Sequence, residues 1–238
     1  MSTLYQSLTI ILPLICAFSF LLMMLVLIKG ELCHGQRSRL SQQFVTLWSF
    51  ASLALVSAIS SKTLPLIATI TLSLTIITGW WLSYRQFQLK IKHSVKCSAW
   101  WYPGIPLLIT AVILTIRHPY TLLASCLASV VITHWLMVKA EHQLKTFNRL
   151  LPFIGIILFA LLVGLHTLQI WLYGSGPLPN HLTHTFIYMI AFALTGLFMW
   201  LLPLLRNMDP IAGQLAAASL CFVIVAIKVT ELQFLLHH

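Results

Sequence analysis

The chain has 238 residues, of which 59% are hydrophobic and 8% charged, with Lys and Arg numbering 14 against 4 Asp and Glu. An average soluble domain is about 25% charged, so the chain lacks the polar surface that a soluble fold of this size presents to water. The composition excludes a soluble enzyme, a disordered protein and a cytosolic nucleic-acid binder. It leaves an all-α integral membrane bundle in contact with the lipid bilayer.

A bilayer crossing takes roughly 20 mainly apolar residues. In chain order the qualifying stretches are Gln6–Ile28, Phe44–Ser60, Leu64–Tyr84, Trp101–Ile116, Tyr120–Val138, Leu151–Tyr173, Thr183–Leu205 and Pro210–Leu236. Eight transmembrane helices in a single domain, 1–238, are therefore expected. Ser60-Ser61-Lys62 and Arg117-His118-Pro119 are read as very short connections, because two short spans fit a bilayer better than one unbroken helix of twice the length. The run Gly174–Leu182 is full of turn formers and reads as a loop. Lys29–Gln43 and Arg85–Trp100 read as the longest loops of the other face. Asp209-Pro210 reads as the cap and first residue of the last helix. No positive charge precedes the first apolar run, so that span is expected to be retained as a signal anchor.

The charges alternate with the spans. Lys29, Arg37 and Arg39 follow the first; Arg85, Lys90, Lys92 and Lys96 follow the third; Lys139, Lys145 and Arg149 follow the fifth; Arg206 follows the seventh. The opposite face holds only Lys62 and Arg117, and Lys228 lies inside the last span. Lys and Arg hold loops on the cytoplasmic side, so both termini are expected to be periplasmic, in a bacterial inner membrane. A nucleic-acid patch would cluster its cations rather than alternate them with spans, and no nucleic-acid partner is expected.

Cys16, Cys33, Cys97, Cys126 and Cys221 form no Cys-x-x-Cys pair, which removes the zinc, iron–sulfur and disulfide-exchange spacings. His134, His166 and His184 lie on three successive spans, but at unequal depths, so they make a poor haem pair. The plainer reading is histidines that hydrogen-bond between helices. No metal or haem is expected in this chain. Lys228 and Glu231 stand three residues apart on one face of the last span. They are either a self-neutralising pair near the helix end or an intramembrane functional pair. No other span has an Asp or Glu, which argues against a proton pump or ion channel. The motifs of serine, zinc and intramembrane-protease chemistry are missing as well.

Lys62, Arg117, His118, Tyr120, His181, His184, Glu231, His237 and His238 all fall toward the external face. Lys62 and Arg117 break the positive-inside pattern. They either anchor the interface or orient a quinone, whose carbonyl oxygens take donors and whose tail takes an apolar cleft.

Lys29-Gly30-Glu31-Leu32 with Gln36-Arg37, Leu47-Trp48, Pro65, Gly79-Trp80, Arg117 with Tyr120, and a charged pair followed by Phe234 and a terminal histidine occur in that order. In this order and topology the chain resembles the membrane anchor subunit of dimethyl sulfoxide reductase, the DmsC family, over nearly its whole length. The resemblance implies a haem-free anchor that oxidises menaquinol. Electrons would pass to an iron–sulfur subunit and from it to a molybdopterin catalytic subunit. With the external-face reading, the quinol is expected among Lys62, Arg117, His118, Tyr120, His184 and Glu231. The chain departs from the family in having no acid between Glu31 and Glu141. The proton acceptor is then sought among Glu231, His118 and His184. The competing reading is a small transporter or a membrane assembly factor without quinone chemistry.

Overall fold

The computed structural model describes residues 2–30, 32–89, 94–140, 145–172, 180–206 and 208–236, and no β-strand occurs among them. In chain order its helices are α1 Ser2–Lys29, α2 His34–Gln42, α3 Phe44–Ser61, α4 Leu66–Gln88, α5 Trp101–Arg117, α6 Leu122–Lys139, α7 Lys145–Leu172, α8 Asn180–Leu205 and α9 Ala212–Leu236. Short 3-10 turns, Cys97–Trp100 and Pro119–Thr121, lead into α5 and α6. Eight helices are long and apolar enough to cross a membrane, as the apolar runs of the sequence require. The protein is a multi-pass, all-α membrane protein.

Besides α1 beginning at Ser2, α4 ending at Gln88 and α7 beginning at Lys145, three further boundaries differ from the sequence expectation. The stretch after α1 is not wholly loop, because α2 forms within it. Its start is held by Gln36, whose Oε1 accepts from the Cys33 N–H at 3.1 Å. Its middle is held by burial of Leu40 and by Ser38, whose hydroxyl accepts from Gln86 Nε2 at 3.1 Å. Gln43 keeps helical dihedrals (φ −70°, ψ −14°), so α2 runs almost directly into α3 and lengthens that span. Secondly, α8 begins at Asn180, inside the expected turn run; residues 174–179 of that run lie outside the described residues. Thirdly, α9 begins at Ala212 rather than at Pro210. The Leu215 N–H donates to the Ile211 carbonyl at 3.1 Å, so Ile211 caps the helix and Asp209 lies ahead of it.

The chain divides into two compact units, Met1–Pro119 with Leu136–Gln143, and Tyr120–Trp135 with Leu144–His238. In the first unit, α1 is apolar all round, and every residue from Thr9 to Ala17 is buried, as expected of a helix without a polar face. Its Phe20 meets Phe44 at 5.5 Å between ring centroids, and Phe44 stacks on Trp48 and lies 4.6 Å from Trp100. Two glycines make room for these rings. A Cβ on Gly79 would stand 2.6 Å from Trp48 Cδ2, and one on Gly104 would overlap the Phe20 ring. The Thr71 and Thr110 hydroxyls bond at 2.7 Å between α4 and α5. Many of the remaining hydroxyls, Ser73, Thr75 and Thr78 among them, donate to the carbonyl four residues back, which satisfies them without water.

In the second unit the corresponding ring is Trp200 on α8. It lies against Gly155 of α7, meets Phe222 of α9 edge-on at 6.1 Å, and donates its indole N–H to His134 Nδ1 at 2.8 Å. Gly196 lets α8 approach Cys221 and Phe222 of α9. Gly155 and Gly164 give a matched pair of tests on one helix, because a Cβ at Gly164 meets nothing within 4 Å. Gly155→Ala is expected to destabilise the protein by about 1–3 kcal/mol through the forced shift of Trp200. Gly164→Ala should be neutral or slightly stabilising, since it only removes backbone freedom. Unfolding of both variants in mixed micelles, followed by tryptophan fluorescence, measures the difference.

Candidate functional site

The end of the first unit where α3 stops and α5 stops carries three of the sequence-selected residues. Lys62 follows α3 in a left-handed conformation, φ 53°, and its N–H donates to the Ala58 carbonyl at 2.9 Å. That is the role glycine usually fills at a helix end, so the backbone of Lys62 closes α3 while its side chain is exposed. Ser61 lies 3.3 Å from the Thr9 hydroxyl and 2.7 Å from that of Thr63, which ties this end to the start of α1. Arg117 is the last residue of α5 and is exposed. His118 caps α5 through its N–H, which donates to the Leu114 carbonyl at 2.8 Å. The Thr71–Thr110 bond shows that α4 starts where α5 ends, so Lys62 and Arg117 share one end of this unit.

Partial burial, reinforced by the neighbouring Arg117 guanidinium, lowers the His118 pKa below its ordinary value near 6.5. The folded state then binds fewer protons than the unfolded state just below that value, so stability rises with pH there and falls on acidification. Replacing His118 by Gln should shrink the loss of thermal stability between pH 7.5 and 5.5. Arg117→Gln should move the His118 titration upward, as read by histidine ring NMR signals.

Tyr120, His184 and Glu231 belong to the second unit. Tyr120 lies in the turn that leads into α6 and is 42% exposed. His184 is exposed on the first turns of α8. Glu231 Oε2 accepts from Lys228 Nζ at 2.7 Å, one turn back on α9. His181 is exposed at the start of α8, while His237 and His238 lie outside the described residues. The six selected residues thus fall three to each unit.

The second unit also holds polar groups that sequence reasoning set aside. Gln233 of α9 donates from Nε2 to Gln169 Oε1 of α7 at 3.0 Å. One turn back on α7, His166 is fully buried, with Nδ1 2.8 Å from the Leu162 carbonyl. A carbonyl only accepts, so Nδ1 carries the hydrogen and Nε2 of the neutral ring presents a lone pair. That Nε2, like Gln233 Oε1, is buried and has no hydrogen-bond partner. Thr230, one turn back from Gln233 on α9, donates its hydroxyl hydrogen to the Ala226 carbonyl. Beside the hydroxyls of Ser125 and Thr133, which are also buried without a partner, His166 Nε2 and Gln233 Oε1 are two buried atoms that can only accept, in a setting where an unmade hydrogen bond costs about 1–3 kcal/mol each. A ligand or water with hydroxyl hydrogens fits them, whereas a further acceptor does not. His134 is different: its Nδ1 accepts from Trp200, the interhelical bond expected of a membrane histidine. Among the described residues no group of three or more His, Cys, Asp or Glu is placed to hold a metal ion.

The Lys228–Glu231 pair can be separated from a merely local contact. Lys228→Met leaves a carboxylate at the apolar helix and should cost about 1–3 kcal/mol. The double change with Glu231→Gln should regain most of that loss. Denaturant titration in micelles of the two single variants and the double variant gives the coupling energy.

A family model described as an integral membrane domain matches residues 2–228. No curated protein and no solved structure matches the chain.

Proposed function

The chain belongs to this integral membrane domain family, and we propose that it is the membrane anchor of a molybdopterin-containing reductase. In this reading it takes electrons from menaquinol and hands them to an iron–sulfur subunit in anaerobic respiration. The ordered likeness to the dimethyl sulfoxide reductase anchor supports the partners. The basic loops, placed on the cytoplasmic side of a bacterial inner membrane, support an orientation with both termini periplasmic.

The observation that carries the quinol reading is the buried, unpartnered Nε2 of His166. Oxidising a quinol removes two electrons and two protons, so its hydroxyls need acceptors. A neutral imidazole with its Nδ1 hydrogen committed to a backbone carbonyl offers one. Gln233 Oε1 offers a second hydrogen-bond acceptor beside the same helix. Glu231, His118 and His184 are the remaining proton acceptors of the reading. Lys62 and Arg117 of the first unit, and Tyr120 of the second, are each donors of the kind that a quinone carbonyl oxygen takes. The electrons leave through the partner's iron–sulfur clusters.

The test is purification from native membranes in mild detergent, followed by titration with a menaquinol analogue. An iron–sulfur protein should travel with the chain, and the analogue should reduce its clusters. His166→Leu should slow that reduction by about 10²-fold or more, the usual size of a general-base contribution, with the partner still bound. Arg117→Ala is examined in the same assay for its own share. Absence of any iron–sulfur partner would sink the anchor reading in favour of a transporter or assembly factor. Full activity in His166→Leu would remove only the assignment of the base.

A further inference from the structure

At the opposite end of the first unit from Lys62, a cleft of about 480 Å³ opens between the last turns of α4 and the segment that enters α5. Its walls include Trp81, Leu89 and Tyr102, and its polar groups are Arg85, Gln88 and Lys96. The Arg85 guanidinium lies 4.3 Å from the centre of the Trp81 ring, which holds the charge at the rim of an apolar wall. Trp81 and Tyr102 remain 51% and 71% exposed, so the wall faces outward rather than into the core. No Asp or Glu occurs anywhere from residue 32 to residue 140, so neither α4 nor α5 supplies a carboxylate to this cleft. Lys96 precedes the 3-10 turn at Cys97, and its side chain makes no capping hydrogen bond.

We propose that this cleft binds an anionic phospholipid, with the phosphodiester between Arg85 and Lys96 and the chain-bearing part against Trp81, Leu89 and Tyr102. Two cations beside an aromatic and aliphatic wall match a molecule that is anionic at one end and apolar at the other. A neutral lipid leaves both charges without a counterpart. A free phosphate leaves the wall uncovered. Basic pockets between helix ends at a membrane surface are suited to acidic head groups for the same reason. Gln88 adds an amide donor for a second head-group oxygen. The site needs neither quinol nor a partner subunit, so it stands apart from the functional reading above.

Native mass spectrometry of the purified full chain, with phosphatidylglycerol and phosphatidylcholine titrated in turn, tests this. Phosphatidylglycerol is expected to bind preferentially. Arg85→Gln and Lys96→Gln should each cut that preference by about fivefold, and together by about 25-fold. Lys96→Gln alone suffices if the double variant folds poorly, because its side chain caps nothing. Arg206→Gln, which removes one cation outside the cleft, should leave the preference unchanged. Equal binding of the two lipids overturns the proposal, as does an unchanged preference in Lys96→Gln. Displacement of the lipid by millimolar inorganic phosphate also overturns it, by assigning the cleft to small anions instead.

Discussion

Glycine set against a buried aromatic ring is the contact on which both units depend. Helices in lipid gain little by burying apolar surface against one another, since the acyl chains are as apolar as leucine. What holds them is close packing, and close packing needs one side to give up its side chain. Gly79 does so for Trp48, Gly104 for Phe20, and Gly155 for Trp200. Each ring is buried and then recruits others: Phe20 and Trp48 enclose Phe44, while Trp200 reaches Phe222 and His134. The packing of α5 on α1, of α4 on α3, and of α8 on α7 follows from these few insertions.

Once the rings set the spacing, the polar groups have little freedom. Most hydroxyls turn back to their own helix, and a few, such as Thr71 and Thr110, pair between helices. The amides of Gln169 and Gln233 pair in the same way between α7 and α9. Several buried groups have no partner, Ser7, Ser83 and the indole N–H groups of Trp48 and Trp100 among them, and within that set His166 Nε2 and Gln233 Oε1 are atoms that can only accept. A side chain that only filled space at His166 would be apolar. One that only bridged helices would use both nitrogens, or bond as His134 does. The lone pair of His166 Nε2 is open to a hydrogen donor, whether a buried water or a bound molecule.

The spans were legible because lipid imposes one rule on every crossing: about 20 apolar residues with all backbone groups bonded internally. Each of the eight expected spans has its helix, although α4 runs on to Gln88 and α7 begins at Lys145, six residues ahead of the expected Leu151. α2 was not legible, since its polar composition reads as loop, and its stability comes from Leu40 and from Ser38 meeting Gln86 far along the chain. The left-handed backbone of Lys62 was equally hidden, because lysine carries no signal for a positive φ. His166 could be seen as a histidine in a span, but nothing in its neighbours along the chain reveals that Leu162 takes one nitrogen and that the other is left over. Its i,i+3 relation to Gln169, and that of Thr230 to Gln233, was the one available hint that two polar faces meet.

The cations that the loop pattern does not explain separate once the structure is considered. Lys62 occupies a helix end where the backbone matters, and its exposed ammonium is not what closes α3. Lys228 has Glu231 for a partner. Burial lowers the proton affinity of His118 at the end of α5, and Arg117 is the cation whose charge adds to that effect. A guanidinium beside an imidazole favours the neutral ring and makes it a weaker base. Under the proposed function, its value lies in what it does to His118 as much as in any bond to a quinone oxygen. Arg117→Lys retains the charge but not the forked geometry, and so separates the two roles.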